Sequence, residues 1–149
     1  MLMTGSGWID AESAFTRAAR GRRLAAVASV LRRDPPLCRR LAVFDERGPR
    51  GSRAAGERGI RAIPLAAIRA TLEPERAALF DQCFRPAAAA RARWQRLWLA
   101  AHRGAALPPI SVVRMGDGYA VSDGHHRVSV ARARGAQSID AVVEAVHTG

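Results

Sequence analysis

Five consecutive residues, Asp123-Gly124-His125-His126-Arg127, hold the side chains of this sequence best suited to binding phosphate or transferring protons. The two imidazoles can donate hydrogen bonds or accept protons near neutral pH, and the guanidinium can bind a phosphate through two parallel hydrogen bonds. The carboxylate can cap a helix or hold a cation. The five residues therefore form a candidate anion-binding or catalytic motif.

The segments around this motif predict a strand before it and a helix after it. Ile110–Arg114 and Tyr119–Ser122 are short β-rich runs, and the glycines between them permit a tight hairpin. Val128–Arg134 has the small and apolar spacing of a helix that faces a sheet, and Gly135 is placed to end it. The motif is then at a helix N-terminus, where unpaired N–H groups and the macrodipole attract anions.

The first third of the chain is predicted to be helical. Asp10 is the expected N-cap of a helix beginning at Ala11, with Gly21 as a possible break, and Asp34-Pro-Pro36 is expected to end it. A second short helix is predicted over Leu37–Phe44. The following residues, 45–59, are rich in Gly and Arg and nearly devoid of apolar residues, so we expect a linker.

The middle of the chain alternates between strand and helix signals. Ile60–Ile63 is predicted to be a strand, Pro64–Ile68 a turn entering a short helix, and Thr71–Cys83 a helix or loop interrupted at Pro74. Ala87–Arg103 gives the clearest helical signal, and Ile139–Val146 is predicted to be the last strand. An aromatic stripe at helical spacing is expected to face the core: Trp94, Leu97, Trp98 and Ala101.

Composition limits the classes of protein to consider. A chain of 149 residues that is 48% hydrophobic can bury one substantial core. Cys38 and Cys83 lie far apart without metal-ligand spacing, which argues against a zinc site or a disulfide framework. The sequence contains no apolar run long enough to span a bilayer and no signal-peptide pattern. We expect a cytoplasmic protein without a membrane partner.

The charge is strongly positive, +11 at pH 7, and all 24 basic residues are arginine. One interpretation is a surface that binds nucleic-acid phosphates, and the other is the coding bias of a GC-rich genome. The excess is spread along the chain, with 12 Arg against 6 acids in residues 1–60. Aromatic residues make up only 5% of the chain, so a base-stacking platform has little to build on.

The motif region resembles a known family. The runs beginning at Leu107, Gly118 and Ile139 are similar to blocks of the ParB N-terminal-like domain in the ParB/sulfiredoxin superfamily, specifically an actinobacterial type with an Asp-Gly-His-His-Arg motif. The resemblance implies a small α+β fold, with a mixed sheet and packed helices. It assigns residues 57–149 to this domain and residues 1–56 to an N-terminal helical extension with an Arg/Gly-rich linker. The family's helix-turn-helix DNA-reading domain is not expected after residue 146.

The resemblance also implies roles for the motif residues. Gly124 and Arg127 match the ends of the Gly-Glu-Arg-Arg turn of the ParB nucleotide site, and His125 and His126 replace its middle pair. His125 occupies the place of the nucleophilic cysteine of sulfiredoxin, so that thiol chemistry is not supported. We expect these four residues to bind phosphate. His126 and Asp123 are the candidate catalytic residues.

Several functions stay open at this stage. The leading hypothesis is a nucleoside-phosphate-binding domain with Mg²⁺, for which Asp123 and Asp81 are candidate ligands; Asp117 suits a hairpin turn better. The alternatives are a basic accessory protein that contacts nucleic acid without reading its sequence, a nuclease, and a small-molecule kinase. The sequence does not decide between binding and turnover, or the oligomeric state.

Overall fold

The architecture is a mixed α+β fold, seen in a computed structural model that describes residues 4–34, 40–43 and 59–144. The described residues form three α-helices: α1, Thr4–Leu31; α2, Arg91–His102; and α3, His125–Ala133. The strands are β1, Ala42–Val43; β2, Ile60–Pro64; β3, Ile68–Thr71; β4, Ile110–Met115; β5, Gly118–Asp123; and β6, Ser138–Glu144. Short 3-10 helices cover Leu65–Ala67, Pro74–Leu79 and Ala88–Ala90. The predicted fold class is confirmed.

The described strands form one six-stranded sheet in the order β1-β3-β5-β4-β6-β2. β3 and β5 run parallel, β4 and β5 form an antiparallel hairpin, and β4 pairs parallel with β6. β2 closes one side by pairing antiparallel with β6. The carboxyl ends of β3 and β5 and the start of β4 consequently meet at one edge of the sheet, where the motif also lies.

Two apolar clusters stabilise this arrangement. The larger one joins the sheet to the segment after β3 through Phe80 and Phe84, both almost fully buried. The smaller one lies between the helices, where the Phe15 ring of α1 meets Trp94 of α2 edge-on at 5.5 Å. The Trp94 indole N–H donates to Ser129 Oγ of α3 at 2.8 Å. All three helices are thus joined at one point.

The predicted aromatic stripe of α2 is only partly buried. Trp94 is fully buried, whereas Leu97, Trp98 and Ala101 are intermediate. Leu99 provides the other deeply buried apolar side chain of this helix.

The predicted start of the first helix is wrong by seven residues. α1 begins at Thr4, so Asp10 lies inside it and is not its N-cap. Packing explains the difference, because the first turns of α1 lie closely against α2. A Cβ on Gly7 would come within 2.9 Å of the Leu99 side chain of α2. Gly21 does not break the helix either, since α1 continues to Leu31.

The structure corrects two further predictions. Ala42 and Val43, placed in a short helix by the sequence pattern, instead pair parallel with β3, whose edge offers free backbone groups. The rest of that predicted helix, apart from residues 40–41, lies outside the described residues, as do residues 45–58 of the predicted linker. Ile68–Thr71 forms β3, a buried strand that was not predicted from the sequence. The division of the chain at residue 56 stays a prediction.

Candidate functional site

The motif lies at the sheet edge where β5 ends and α3 begins. Asp123 is the last residue of β5, and His125 is the first of α3. Thr71 ends the parallel neighbour β3 and is in register with Val121. A cleft of about 250 Å³ opens at this edge, and every residue from Ser122 to Arg127 lines it. All five motif residues therefore line the same cleft.

Gly124 makes the turn from strand to helix possible. Its φ is +107°, in the region that residues with a side chain rarely adopt. A Cβ at this position would lie 2.5 Å from Ile110 Cγ2 and 2.9 Å from Ile110 Cβ. Backbone conformation and close packing therefore both require glycine here.

The same turn exposes the first backbone donors of α3. The Val128 N–H donates to the Gly124 carbonyl at 3.0 Å and closes the first turn of the helix. The preceding N–H groups, those of His125, His126 and Arg127, have no backbone acceptor among the described residues. No side chain caps this end. Asp123 does not act as the N-cap, because Gly124 occupies that position. The helix N-terminus is thus available to an anion.

His125 is anchored inside the site. It is 4% exposed, and its Nε2 is hydrogen-bonded to Thr71 Oγ1. The same hydroxyl oxygen accepts the Glu73 N–H at 2.9 Å. The His125 ring stacks on Phe80 at 6.4 Å between centroids. Burial first, then the charges of Arg76 and His126, lower the pKa of His125 to about 4. His125 is therefore neutral at pH 7 and couples the end of β3 to α3.

His126 packs differently from its neighbour. Its ring meets Phe80 edge-on at 5.2 Å, and the residue is 6% exposed. Burial first, then the positive charges of Arg93 and Arg76, lower the pKa of His126 to about 4. Both histidines line the cleft.

Arg127 is already held by neighbouring groups. Its Nη1 donates to the carbonyls of Pro108 and Pro109 at 2.7 and 2.8 Å, and its Nη2 donates to Asp123 Oδ2 at 3.1 Å. These contacts hold the segment entering β4 against α3. Arg127 lines the cleft, but much of its donor capacity is used within the protein. A two-pronged phosphate contact from this side chain would require rearrangement.

Two other arginines line the cleft and were not singled out from the sequence. Arg76 comes from the 3-10 helix after β3, and Arg93 comes from the first turn of α2. No hydrogen bond or ion pair joins either guanidinium to a described carboxylate. Both arginines lie far from the motif in the chain. Only folding brings them to the cleft, so the sequence pattern did not indicate them.

Carboxylates also line the same cleft. Glu73 and Glu75 line it together with Asp123. A side-chain hydrogen bond to Glu75, followed by burial, raises the pKa of Glu73. The pKa of Glu75 is lowered by a backbone hydrogen bond and by Glu73. The sequence signal for this carboxylate pair was Glu73-Pro-Glu75, shortly after β3.

Asp81 and Asp117 lie outside this cleft. Asp81 is buried, and its Oδ1 accepts the N–H groups of Cys83 and Arg85, both at 2.9 Å. Its Oδ2 also meets the Arg85 guanidinium at 3.4 Å. This carboxylate holds the 81–85 loop together. Asp117 is exposed in the hairpin between β4 and β5. Among the described residues, no group of three or more His, Cys, Asp or Glu side chains is arranged to hold a metal ion.

Comparisons with known proteins give a match among solved structures. No protein-family model and no curated protein matches the chain. The chain is similar to the solved structure of sulfiredoxin from Arabidopsis thaliana, with 22% identity and a TM-score of 0.40, covering 57% of this chain and 83% of that one. Membership of the ParB/sulfiredoxin superfamily, and of its type with an Asp-Gly-His-His-Arg motif, stays a prediction.

Membrane insertion finds no support in the described helices. None of them combines the length and apolar character needed to cross a bilayer. The cytoplasmic location expected from the sequence stays a prediction.

Proposed function

We propose that the cleft at the start of α3 binds the phosphate groups of a nucleotide. The observation that carries the proposal is the convergence of three free N–H groups of α3 with Arg76 and Arg93 on one cleft. Helix N-termini and guanidinium groups are the protein groups best suited to phosphate oxygens. The neutral histidines supply further N–H donors.

The size of the cleft suggests which part of the nucleotide it holds. Its volume of about 250 Å³ is below that of most pockets that enclose whole drug-sized ligands. We therefore expect the phosphates and part of the sugar to be enclosed, and the base to extend toward solvent. Discrimination between bases is expected to be weaker than discrimination between numbers of phosphates.

The carboxylates in the cleft favour a ligand that arrives with Mg²⁺. Glu73, Glu75 and Asp123 would repel a bare phosphate, whereas Mg²⁺ is commonly bound by one or two carboxylates together with phosphate oxygens. Asp123 is the candidate ligand, since its side chain is 75% exposed at the rim. Asp81 is not proposed for this role, because its oxygens are occupied by the 81–85 loop.

Catalysis would be a further step beyond binding. His126 is the candidate proton acceptor, because its pKa of about 4 leaves it unprotonated at neutral pH. The same low pKa makes it a weak base, so its expected contribution to a rate is modest. Asp123 is the other candidate, either beside the cation or accepting a proton. Binding is the function that we propose here.

Thermal denaturation with a nucleotide panel tests the proposal. The panel consists of CTP, ATP, GTP and ADP, each with Mg²⁺. At least one of these nucleotides is expected to raise the melting temperature of the protein. Arg93→Ala should weaken the binding of that nucleotide about tenfold, because a charge-assisted phosphate contact is lost. Arg96→Ala is the matched control, since Arg96 is exposed on the same helix and does not line the cleft. A flat response across the whole panel would remove the proposal.

A second candidate function is contact with nucleic-acid backbones through α1. Residues 13–33 contain six arginines and no acidic residue, and Arg20, Arg23, Arg32 and Arg33 are exposed. Such a surface favours phosphate contacts that are independent of sequence. A nuclease or kinase activity has no comparable observation in its favour.

A further inference from the structure

A second cleft lies further along α3, toward the end of this helix. It is bounded by α1, by the loop at residues 83–86, by Ser129 and Arg132 of α3, and by Arg134 just after α3. Its volume is about 510 Å³, within the range of pockets that bind small organic molecules. It shares no lining residue with the cleft at the start of α3. What it binds is therefore a separate question from the proposed nucleotide site.

Small residues on α1 keep this cleft open. Ala14, Ala18 and Gly21 recur at helical spacing on the wall that α1 contributes. A Cβ added to Gly21 would lie 3.5 Å from the Arg85 side chain across the gap. Larger side chains at these positions would fill the space. The cleft is thus a consequence of which residues α1 presents to α2 and α3.

The walls of the cleft are positively charged. Arg17, Arg85, Arg132 and Arg134 line it, and no Asp or Glu is among its described lining residues. Arg85 is paired with Asp81, and Arg132 Nη1 donates to the Leu65 carbonyl at 3.2 Å. Arg17 of α1 and Arg134 after α3 have no ion pair with a described carboxylate. These two exposed guanidiniums therefore lie on different walls of the cleft, available to an anion.

Apart from Cys83 and Ser129, the remaining lining is apolar. Trp98, Phe84 and Pro86 contribute to it, and Trp98 is only half buried, with one ring face stacked on His102 at 4.7 Å. Apolar surface of this kind favours a flat hydrophobic body, while the arginines favour a negative charge. Inorganic phosphate would use only the second property. A nucleic-acid backbone presents phosphates without an apolar body to enter the cleft.

We propose that this cleft is a binding site for a small organic anion with a flat apolar body, such as an aromatic carboxylate, sulfonate or phosphate ester. The apolar part lies against Trp98 and the α1 wall. The anionic group lies between Arg17 and Arg134. The site is independent of the nucleotide cleft, so either can be lost while the other remains.

Cys83 lets this proposal be tested directly. It is a free, exposed thiol that lines the cleft, so an occupant should slow its alkylation. The experiment measures the rate of reaction with iodoacetamide in a Cys38→Ser background, leaving Cys83 as the only thiol. Naphthalene-1-sulfonate is the probe. Two control compounds each retain one feature of the probe. Inorganic sulfate has the negative charge alone, and neutral naphthalene-1-methanol has the aromatic body alone.

The expected result is saturable protection of Cys83 by naphthalene-1-sulfonate, with much weaker protection by either half. Replacing Arg17 and Arg134 with Ala should weaken the binding of the probe about tenfold or more. Ala18→Leu should block it while keeping the charges, because leucine is compatible with a helix and fills the gap. Circular dichroism and melting curves verify that each variant is folded.

Two outcomes would overturn the proposal. One is protection of Cys83 that is unchanged in both the double arginine variant and Ala18→Leu. The other is equal protection by sulfate alone, which would indicate general charge attraction. Arg93→Ala should leave the protection unchanged, since Arg93 lines only the other cleft. Loss of protection in Arg93→Ala would also count against a separate site.

Discussion

At the scale of single residues, Gly124 has the most sharply defined role. Gly124→Ala is expected to reduce the free energy of unfolding by about 3 kcal/mol, because it combines an unfavourable backbone conformation with a clash against Ile110. Urea denaturation measures the change. Gly135→Ala is the control: its φ is also positive, at +78°, but a Cβ there meets no atom within 4 Å. An equal loss in both variants would contradict a role for the Ile110 contact.

The two buried histidines predict an acid-sensitive stability. Both have pKa values lowered to about 4 in the folded protein, against an ordinary value of 6.5. The unfolded chain therefore binds more protons between these values, so stability is lost as the pH falls from about 6.5 toward 4. We expect the urea midpoint to decrease across this window. The double variant His125→Gln, His126→Gln should flatten that decrease.

A control separates this effect from general acid denaturation. His102→Gln alters an exposed histidine away from the motif and should leave the decrease unchanged. A decrease that persists in the double motif variant would mean that carboxylate protonation, and not the histidines, causes the acid sensitivity.

At the scale of elements, the contact between α1 and α2 joins the N-terminal segment to the rest of the fold. Phe15 is 1% exposed between Trp94 and Arg91, whose guanidinium lies 4.9 Å from the ring centre. Phe15→Ala should therefore cost about 3 kcal/mol of unfolding free energy. Ile9→Ala, on the same helix and 63% exposed, should change it by less than about 0.5 kcal/mol. A near-neutral Phe15→Ala would mean that α1 contributes little to the stability of the fold.

At the scale of the whole molecule, the net charge of +11 predicts salt-dependent binding to DNA. A 20-base-pair duplex should bind with an affinity that falls steeply with salt and does not depend on sequence. Replacing Arg20 and Arg23 with Gln should reduce the slope of log K against log salt by up to about two. Fluorescence anisotropy at several salt concentrations measures it. Deletion of α1 is unsuitable, because it would expose Trp94.

The matched control keeps the same loss of charge on another surface. Arg61 and Arg69 are exposed on β2 and β3, and replacing both with Gln should leave the slope nearly unchanged if α1 forms the contact. Equal effects of the two pairs would indicate a diffuse attraction of the whole protein.

Local sequence patterns were sufficient for the strand, turn and helix that surround the motif. Short β-rich runs predicted β4 and β5, and Gly135 marked the end of α3, although the predicted helix began at Val128 and the observed one begins at His125. These features follow from neighbours in the chain, so a local pattern can encode them. β3 was missed because its four residues look like the end of a short helix, and pairing with β5 on one side decides their conformation.

The sequence by itself therefore determined the α+β class and the five adjacent residues of the motif. Only the tertiary structure decided which partners those residues have. It brought Arg76 and Arg93 to the cleft, engaged Arg127 with two proline carbonyls, and removed Asp81 from the site. The physical reason is distance along the chain: burial, hydrogen bonding and charge act between groups that are close in space, and here those groups come from the 3-10 helix after β3, from α2 and from the segment before β4.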